Sequence, residues 1–203
     1  MQNEEVERPK LVTDQAIVNA VPDLKPQRVF DVGCGEGWLA RTLAQLGIGV
    51  FGVDVVPELL EKAQHLGGGQ FQVCSYEAIA DGCFQVAPFD TAISNFSFIG
   101  KEAVENLLRA LAEYSKPQGS LLIPTLHPLT ACRDQTCCDG WGPGSWDGFG
   151  PEFTDSAPWY FRTIESWVSL LRKSHFEVLE CREAIHPKTK KPASITFTSR
   201  NSA

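Results

Sequence analysis

Residues 29–37 read VFDVGCGEG: a β-branched and aromatic run passes straight into glycines at 33, 35 and 37, and a helical pattern starts at once with Trp38. This succession constrains the chain more than any other feature. Glycine allows the sharp turn and lets a ligand lie on bare backbone, while the helix start offers amide donors and a positive dipole end. Asp54 ends the next β-like run, Gly49 to Val53, about 20 residues beyond Gly33, where a carboxylate can accept two hydrogen bonds from a ribose diol. A plain tight turn and a solvated loop carboxylate are the simpler readings of each part alone; strand, glycines, helix, strand and acid in that order favour a nucleotide site.

The rest of the chain repeats this alternation. A helix capped by Thr13 is predicted to end before Pro22, and the first strand runs from Arg28 to Val32. From Trp38, Leu39, Leu43 and Leu46 share one helical face, and Gly47 supplies the stop. Pro57 opens a helix that runs to Gly67, followed by strands at Phe71 to Cys74 and Phe89 to Ser94. A helix from Lys101 stops before Pro117, and Gly119 to Thr125 is a fifth strand. Residues 126–162 keep no sustained period and hold five glycines, four prolines and three tryptophans, which marks a lid or binding loop. Thr163 caps a last helix carrying Ile164, Trp167, Val168 and Leu171, and the runs Phe176 to Ala184 and Ala193 to Thr198 flank a hairpin turn.

Length decides how many units this makes. A chain of 203 residues holds one domain with an excursion, here residues 1–203 with a lid-like insert at about 126–162. The formal charge of -7 repels polyanions, so nucleic acid is not the expected partner. No apolar run is long enough for a membrane span, and the polar start does not resemble a signal peptide. The seven cysteines read as free thiols in a cytoplasmic protein.

The glycine spacing separates nucleotide classes. A nicotinamide fingerprint needs a third glycine where this chain has Trp38, and it usually carries an apolar residue where this chain has Asp31. An acid there suits a cation, such as a sulfonium with an α-amino group. In Asp31, Gly33, Cys34 and Gly35 the chain resembles the class I S-adenosylmethionine-dependent methyltransferases, and the likeness runs over about residues 13–198.

That resemblance implies an α/β fold: a doubly wound Rossmann-like sheet of about seven strands, mostly parallel, with an antiparallel C-terminal hairpin and helices on both faces. It implies S-adenosyl-L-methionine as cofactor and S-adenosyl-L-homocysteine as product. Asp54 would hold the ribose, Asp31 would help orient the methionine end, and Val55 would lie against adenine. Where the family commonly has an aspartate toward the adenine amino group, this chain has Ser75; its hydroxyl or the Tyr76 amide would serve, or Ser75 is only a helix cap. The run FDTAISNFSFIG places Asn95 and Phe96 near the reacting methyl, with an ordinary turn as the alternative for Asn95. The segments WYFRTIESW and HPKTKKPAS look most like small bacterial-type members acting on small molecules.

His127, just after strand five, is the candidate general base, with a structural loop histidine as the alternative. Trp141, Trp146, Trp159, Tyr160 and Phe161 would cover a substrate, or else anchor a long loop. Residues 132–158 carry five acids against Arg133, which favours a neutral or cationic acceptor such as an amine or phenol. Cys132, Cys137 and Cys138 lack the spacing of a zinc finger, so no metal is expected. The basic segment 186–203 reads as a solvated hairpin. The leading expectation is a methyltransferase acting on an O, N or C nucleophile of a small molecule. A nicotinamide oxidoreductase and a binding module without turnover are the competing classes.

Overall fold

The computed structural model describes residues 3–84, 86–132, 137–143 and 158–203, with side chains described from residue 12 onward. Seven strands form one sheet in the order β3-β2-β1-β4-β5-β9-β8. The parallel part comprises β1 (Arg28–Val32), β2 (Gly49–Asp54), β3 (Gln70–Val73), β4 (Phe89–Ile93) and β5 (Ser115–Leu126). The last hairpin, β8 (Phe176–Ile185) and β9 (Pro192–Asn201), inserts β9 antiparallel beside β5 and leaves β8 at the edge.

Strand alternation sorts the core into two layers. Phe30 and Val32 of β1 pack with Leu107 and Leu111 of α5 (Glu102–Tyr114), Trp167 and Leu171 of α7 (Ile164–Lys173), and Ile79 of α4 (Tyr76–Ala80). Val29 packs on the opposite face with Ile17 and Val21 of α1 (Asn3–Asp23) and with Leu39 and Leu43 of α2 (Trp38–Gln45). The same side carries Leu60 and Ala63 of α3 (Pro57–Leu66) against Cys34. Helices thus cover both faces, which a parallel sheet needs because its strands bury both sides.

Several boundaries move. α1 runs from Asn3 to Asp23, so Thr13 lies inside it rather than at its cap, and the helix continues through Pro22 instead of ending before it. β5 starts at Ser115, with a register shift against β4 that absorbs Pro117 and the positive φ of 63° at Gln118. The insert is more regular than its composition implies. It contains α6 (Pro128–Ala131) and a two-stranded ribbon of β6 (Gly140–Gly142) and β7 (Trp159–Phe161), paired antiparallel with Trp141 opposite Tyr160.

The cysteines also depart from the expectation of free thiols. Cys132 caps the C-terminus of α6, and Cys137 lies at a Cα–Cα distance of 5.5 Å from it, within bridging range, so these two are bonded. Cys34, Cys74, Cys83, Cys138 and Cys181 are free. No helix among the described residues is long and apolar enough to cross a membrane.

Candidate functional site

The glycine turn sits at the carboxyl end of β1, where the order of strands reverses direction along the chain between β1 and β4, the usual ligand crevice of an open α/β sheet. Gly33, Gly35 and Gly37 all have positive φ. Gly33 is required twice over. Its φ is 78°, and a Cβ there would lie 2.3 Å from Ser97 Cβ. Ser97, a residue that sequence reasoning did not single out, donates to the Val32 carbonyl at 2.6 Å and pairs with the Ser94 hydroxyl at 2.6 Å.

The amides of the turn are less available than a bare glycine loop implies. Gly33 and Cys34 donate to the Val53 carbonyl at 2.8 and 3.0 Å, and Gly37 donates to Cys34. The Gly35 amide donates to Asp54 Oδ2 at 2.9 Å, while Asp54 Oδ1 accepts from Val56 at 3.0 Å. The open donors expected at this end therefore shift to the N-terminus of α2, whose N-cap Gly37 supplies no side-chain cap. Asp54 still has room for hydroxyl donors, because a carboxylate offers about four lone-pair sites and two are used.

Asp31 is the electrostatic centre. It lies on β1 in register with Gly52 and Ile93, is 1% exposed, and its Oδ1 is buried without a partner among the described residues. Burial, with the Asp54 charge adding to it, pushes its pKa from 3.8 up to about 7. Asn95 Oδ1, just past β4, is likewise buried and unpartnered. Two orphaned acceptors beside one turn call for a ligand that brings N–H donors or positive charge. Cys34 turns its sulfur toward Gly52, where a Cβ would meet it at 2.8 Å, and burial pushes its thiol pKa up, so it packs as an apolar filler.

The other candidates fall into place unevenly. Val55 is 63% exposed at the end of β2, an open apolar surface beside Asp54. Ser75 accepts from the Ala78 amide at 3.2 Å and caps α4. Tyr76 directs its hydroxyl to the Ser97 carbonyl at 2.8 Å, so its side chain braces the loop after β4. Phe96 has φ 56° and is tied by its amide to the Pro124 carbonyl, which fixes this loop against β5.

His127, the candidate general base or structural loop histidine, is buried and hydrogen-bonded at both ring nitrogens. It is 5% exposed; its Nδ1 accepts from the Leu129 amide at 3.1 Å as the N-cap of α6, and its Nε2 lies 2.9 Å from Glu183 Oε1 on β8. With Nδ1 accepting, Nε2 carries the proton and donates it to Glu183, so both nitrogens are engaged. The aromatic residues of the ribbon pair with each other: Trp141 with Tyr160 at 5.3 Å, and Trp159 with Phe161 at 5.8 Å between centroids. The cations over Tyr160 are the protein's own Arg162 and Lys101, at 4.8 and 5.5 Å. Trp146 lies outside the described residues. Among the described residues no three His, Cys, Asp or Glu side chains group to hold a metal ion.

Ser97, Arg162 and Glu183 act here without having been legible in advance. Each meets its partner across a wide stretch of sequence, and none sits in a spacing pattern. A single cation in the aromatic run WYFRT was the one available signal for Arg162.

Comparison with known proteins follows the same geometry. Residues 29–119 match a family model described as a methyltransferase domain. The chain is 34% identical over 119 residues to the ubiquinone biosynthesis O-methyltransferase of Xanthomonas oryzae pv. oryzae, covering 56% of this chain and 49% of that protein. The match to the mitochondrial Bos taurus enzyme of that name covers only 30% of its length, so the chain spans half or less of these relatives. Among solved structures, an S-adenosylmethionine-dependent methyltransferase from Mesorhizobium loti superposes with a TM-score of 0.67 at 20% identity, over 90% of this chain and 96% of that one. The 1,6-didemethyltoxoflavin-N1-methyltransferase of Burkholderia thailandensis, solved with 1,6-didemethyltoxoflavin and S-adenosylhomocysteine, does so with 0.65 at 21%, over 97% and 79%.

Proposed function

We propose that this chain, whose residues 29–119 match a methyltransferase-domain model, is a class I S-adenosylmethionine-dependent methyltransferase that transfers the methyl group of S-adenosylmethionine to a nucleophile of a small molecule. The observation that carries the reading is the orphaned, buried Asp31 carboxyl group beside the glycine turn, within electrostatic reach of the hydroxyl-ready Asp54. An adenosine joined to a cationic amino acid matches both groups, whereas a dinucleotide brings negative phosphates toward Asp31.

In this reading Asp31 and Asn95 take the α-ammonium, the uncapped start of α2 takes the carboxylate, and Asp54 takes the ribose hydroxyls. Gly33, Cys34 and Gly35 shape the floor, Val55 covers adenine, and the Ser75–Tyr76 segment borders the purine edge. The sulfonium, when bound, supplies a methyl group already activated by positive charge. The chain's share of catalysis is then placement, which in favourable models contributes about 7 to 11 kcal/mol. Phe96, held at positive φ by Pro124, sets the wall beside the reacting centre. In this reading His127, with Nδ1 on the Leu129 amide and Nε2 beside Glu183, supports the site as the cap of α6.

The acceptor side lies over β4 and β5. Ile99, Leu126 and Leu129 expose apolar surface there, with Trp141, Trp159 and Tyr160 on the neighbouring ribbon. These side chains and the acidic insert support a flat, neutral or cationic acceptor such as an aromatic amine or phenol. The net charge of -7 supports a small molecule over nucleic acid.

Thermal melting with S-adenosylmethionine, S-adenosylhomocysteine, NADH and NADPH tests the cofactor, since a ligand at about 100 times its Kd adds about 2.7 kcal/mol. Stabilisation by the first two alone is expected; stabilisation by the nicotinamides alone overturns the reading. Acceptor-dependent transfer of labelled methyl then separates an enzyme from a binding module.

A further inference from the structure

Arg162 is 4% exposed, yet neither the cofactor crevice nor the acceptor wall uses it. Its Nη1 donates to the Gly100 carbonyl at 2.9 Å, and its Nη2 donates to the Lys101 carbonyl at 2.8 Å and lies 3.6 Å from Glu105. The guanidinium also sits 4.8 Å from the Tyr160 ring and 5.1 Å from the Trp167 ring. The Tyr160 amide adds a bond to the Ile99 carbonyl at 2.7 Å. One planar fork thus fastens the returning strand of the insert to the loop between β4 and α5. Two consecutive carbonyls match a guanidinium and not the point charge of a lysine.

Contacts continue from this post to the cofactor turn. Trp167 stacks on Phe98 at 6.4 Å, and Phe98 meets Tyr76 edge-on at 6.0 Å. The Tyr76 hydroxyl donates to the Ser97 carbonyl at 2.8 Å, and the Ser97 hydroxyl donates to the Val32 carbonyl at 2.6 Å. Ser97 Cβ in turn occupies the space that a side chain on Gly33 would need. Burying a cation in such a chain costs more than an apolar filler of the same volume, so packing alone does not account for an arginine here.

We infer that Arg162 is a positioning residue that couples the insert to the glycine turn: seating the β6–β7 ribbon on the β4–α5 loop also sets the position of Ser97 against Gly33. The functional consequence rests on the proposed cofactor site; the structural coupling does not. Arg162→Lys keeps the charge and loses the fork, and Glu105→Gln removes the ion pair while leaving the fork intact.

The first measurement is amide hydrogen exchange in the ligand-free protein at Gly33, Cys34, Gly35 and Gly37, all hydrogen-bonded in the turn. Arg162→Lys is expected to speed exchange there by about tenfold or more while α3 is unchanged, and Glu105→Gln is expected to leave the turn alone. A uniform rise across the protein, or no rise at the turn, overturns the inference.

The second is a double-mutant cycle of Arg162→Lys with Tyr76→Phe, read as S-adenosylhomocysteine affinity by calorimetry. These side chains do not touch, so a departure of about fivefold or more from the product of the single effects is expected, and agreement within roughly twofold overturns the coupling. If the wild-type protein gives no heat, the cofactor reading fails, and the exchange measurement alone decides the coupling.

Discussion

Asp54 holds the glycine turn by accepting the Gly35 amide at 2.9 Å on the oxygen next to the one that accepts from Val56. The carboxylate that the cofactor's ribose would use is therefore also a brace for the loop beneath it. Asp54→Asn puts an amide donor against one of two backbone donors. S-adenosylhomocysteine affinity should fall by about tenfold or more, with a stability loss of about 1.5 to 3 kcal/mol. Calorimetry paired with urea unfolding checks both, and undiminished affinity would remove Asp54 from the ribose.

Asp31 links the site to pH. Its pKa lies near 3.8 in the unfolded chain and is raised to about 7 by burial and then by Asp54. Between those values the folded state holds the extra proton, so stability falls as pH rises through the window and levels off above it. A bound ammonium favours the ionised carboxylate, so ligand affinity should rise as pH passes neutrality. Asp31→Asn is expected to abolish the stability decline and to weaken S-adenosylhomocysteine by about tenfold or more near pH 8. Wild-type affinity that stays flat across neutral pH would dissociate Asp31 from the ligand.

Gly33 and Ser97 form a steric pair. Gly33→Ala is expected to cost roughly 2 to 5 kcal/mol, from positive φ and from overpacking. Because the clash is with Ser97 Cβ at 2.3 Å as well as Oγ at 2.5 Å, Ser97→Ala should relieve only the smaller part, whereas Ser97→Gly should restore more of the loss. Urea midpoints of the double variants decide it; equal rescue by both would place the obstruction elsewhere.

His127 gives the sharpest contrast between a cap and a base. His127→Ala should lose about 1 kcal/mol, and His127→Asn, a good N-cap, should recover most of it. Turnover of the asparagine variant is expected to stay within about tenfold of wild type, since a general base contributes at least about 10². A larger fall would return His127 to the chemistry.

Alkylation under non-reducing, denaturing conditions counts the thiols. Five adducts are expected from the seven cysteines, with Cys132 and Cys137 protected until reduction. Seven adducts before reduction would contradict the bridge.

The extent of what was readable follows from how far each feature reaches along the chain. β1, the glycine turn, α2 and Asp54 were legible because hydrophobic period, positive-φ demand and strand ends are properties of adjacent residues. The C-terminal hairpin was legible as two β-rich runs about a turn, but nothing in either run says that β9 inserts beside β5. The ribbon in the insert was hidden because its three-residue strands, 140–142 and 159–161, are too short to display a period.

By itself, then, the amino-acid order determined the alternation of strands and helices, the glycine turn and the acids at Asp31 and Asp54. Only tertiary structure decided that Asp54 braces the turn, that Ser97 fills the space above Gly33, that His127 is spent on a cap and on Glu183, and that Arg162 fastens the insert. The physical reason is separation: Ser97 and Val32 lie 65 positions apart, Arg162 and Gly100 62, and His127 and Glu183 56. A contact of that span imposes no periodicity on either segment, so it exists only once the chain has closed on itself.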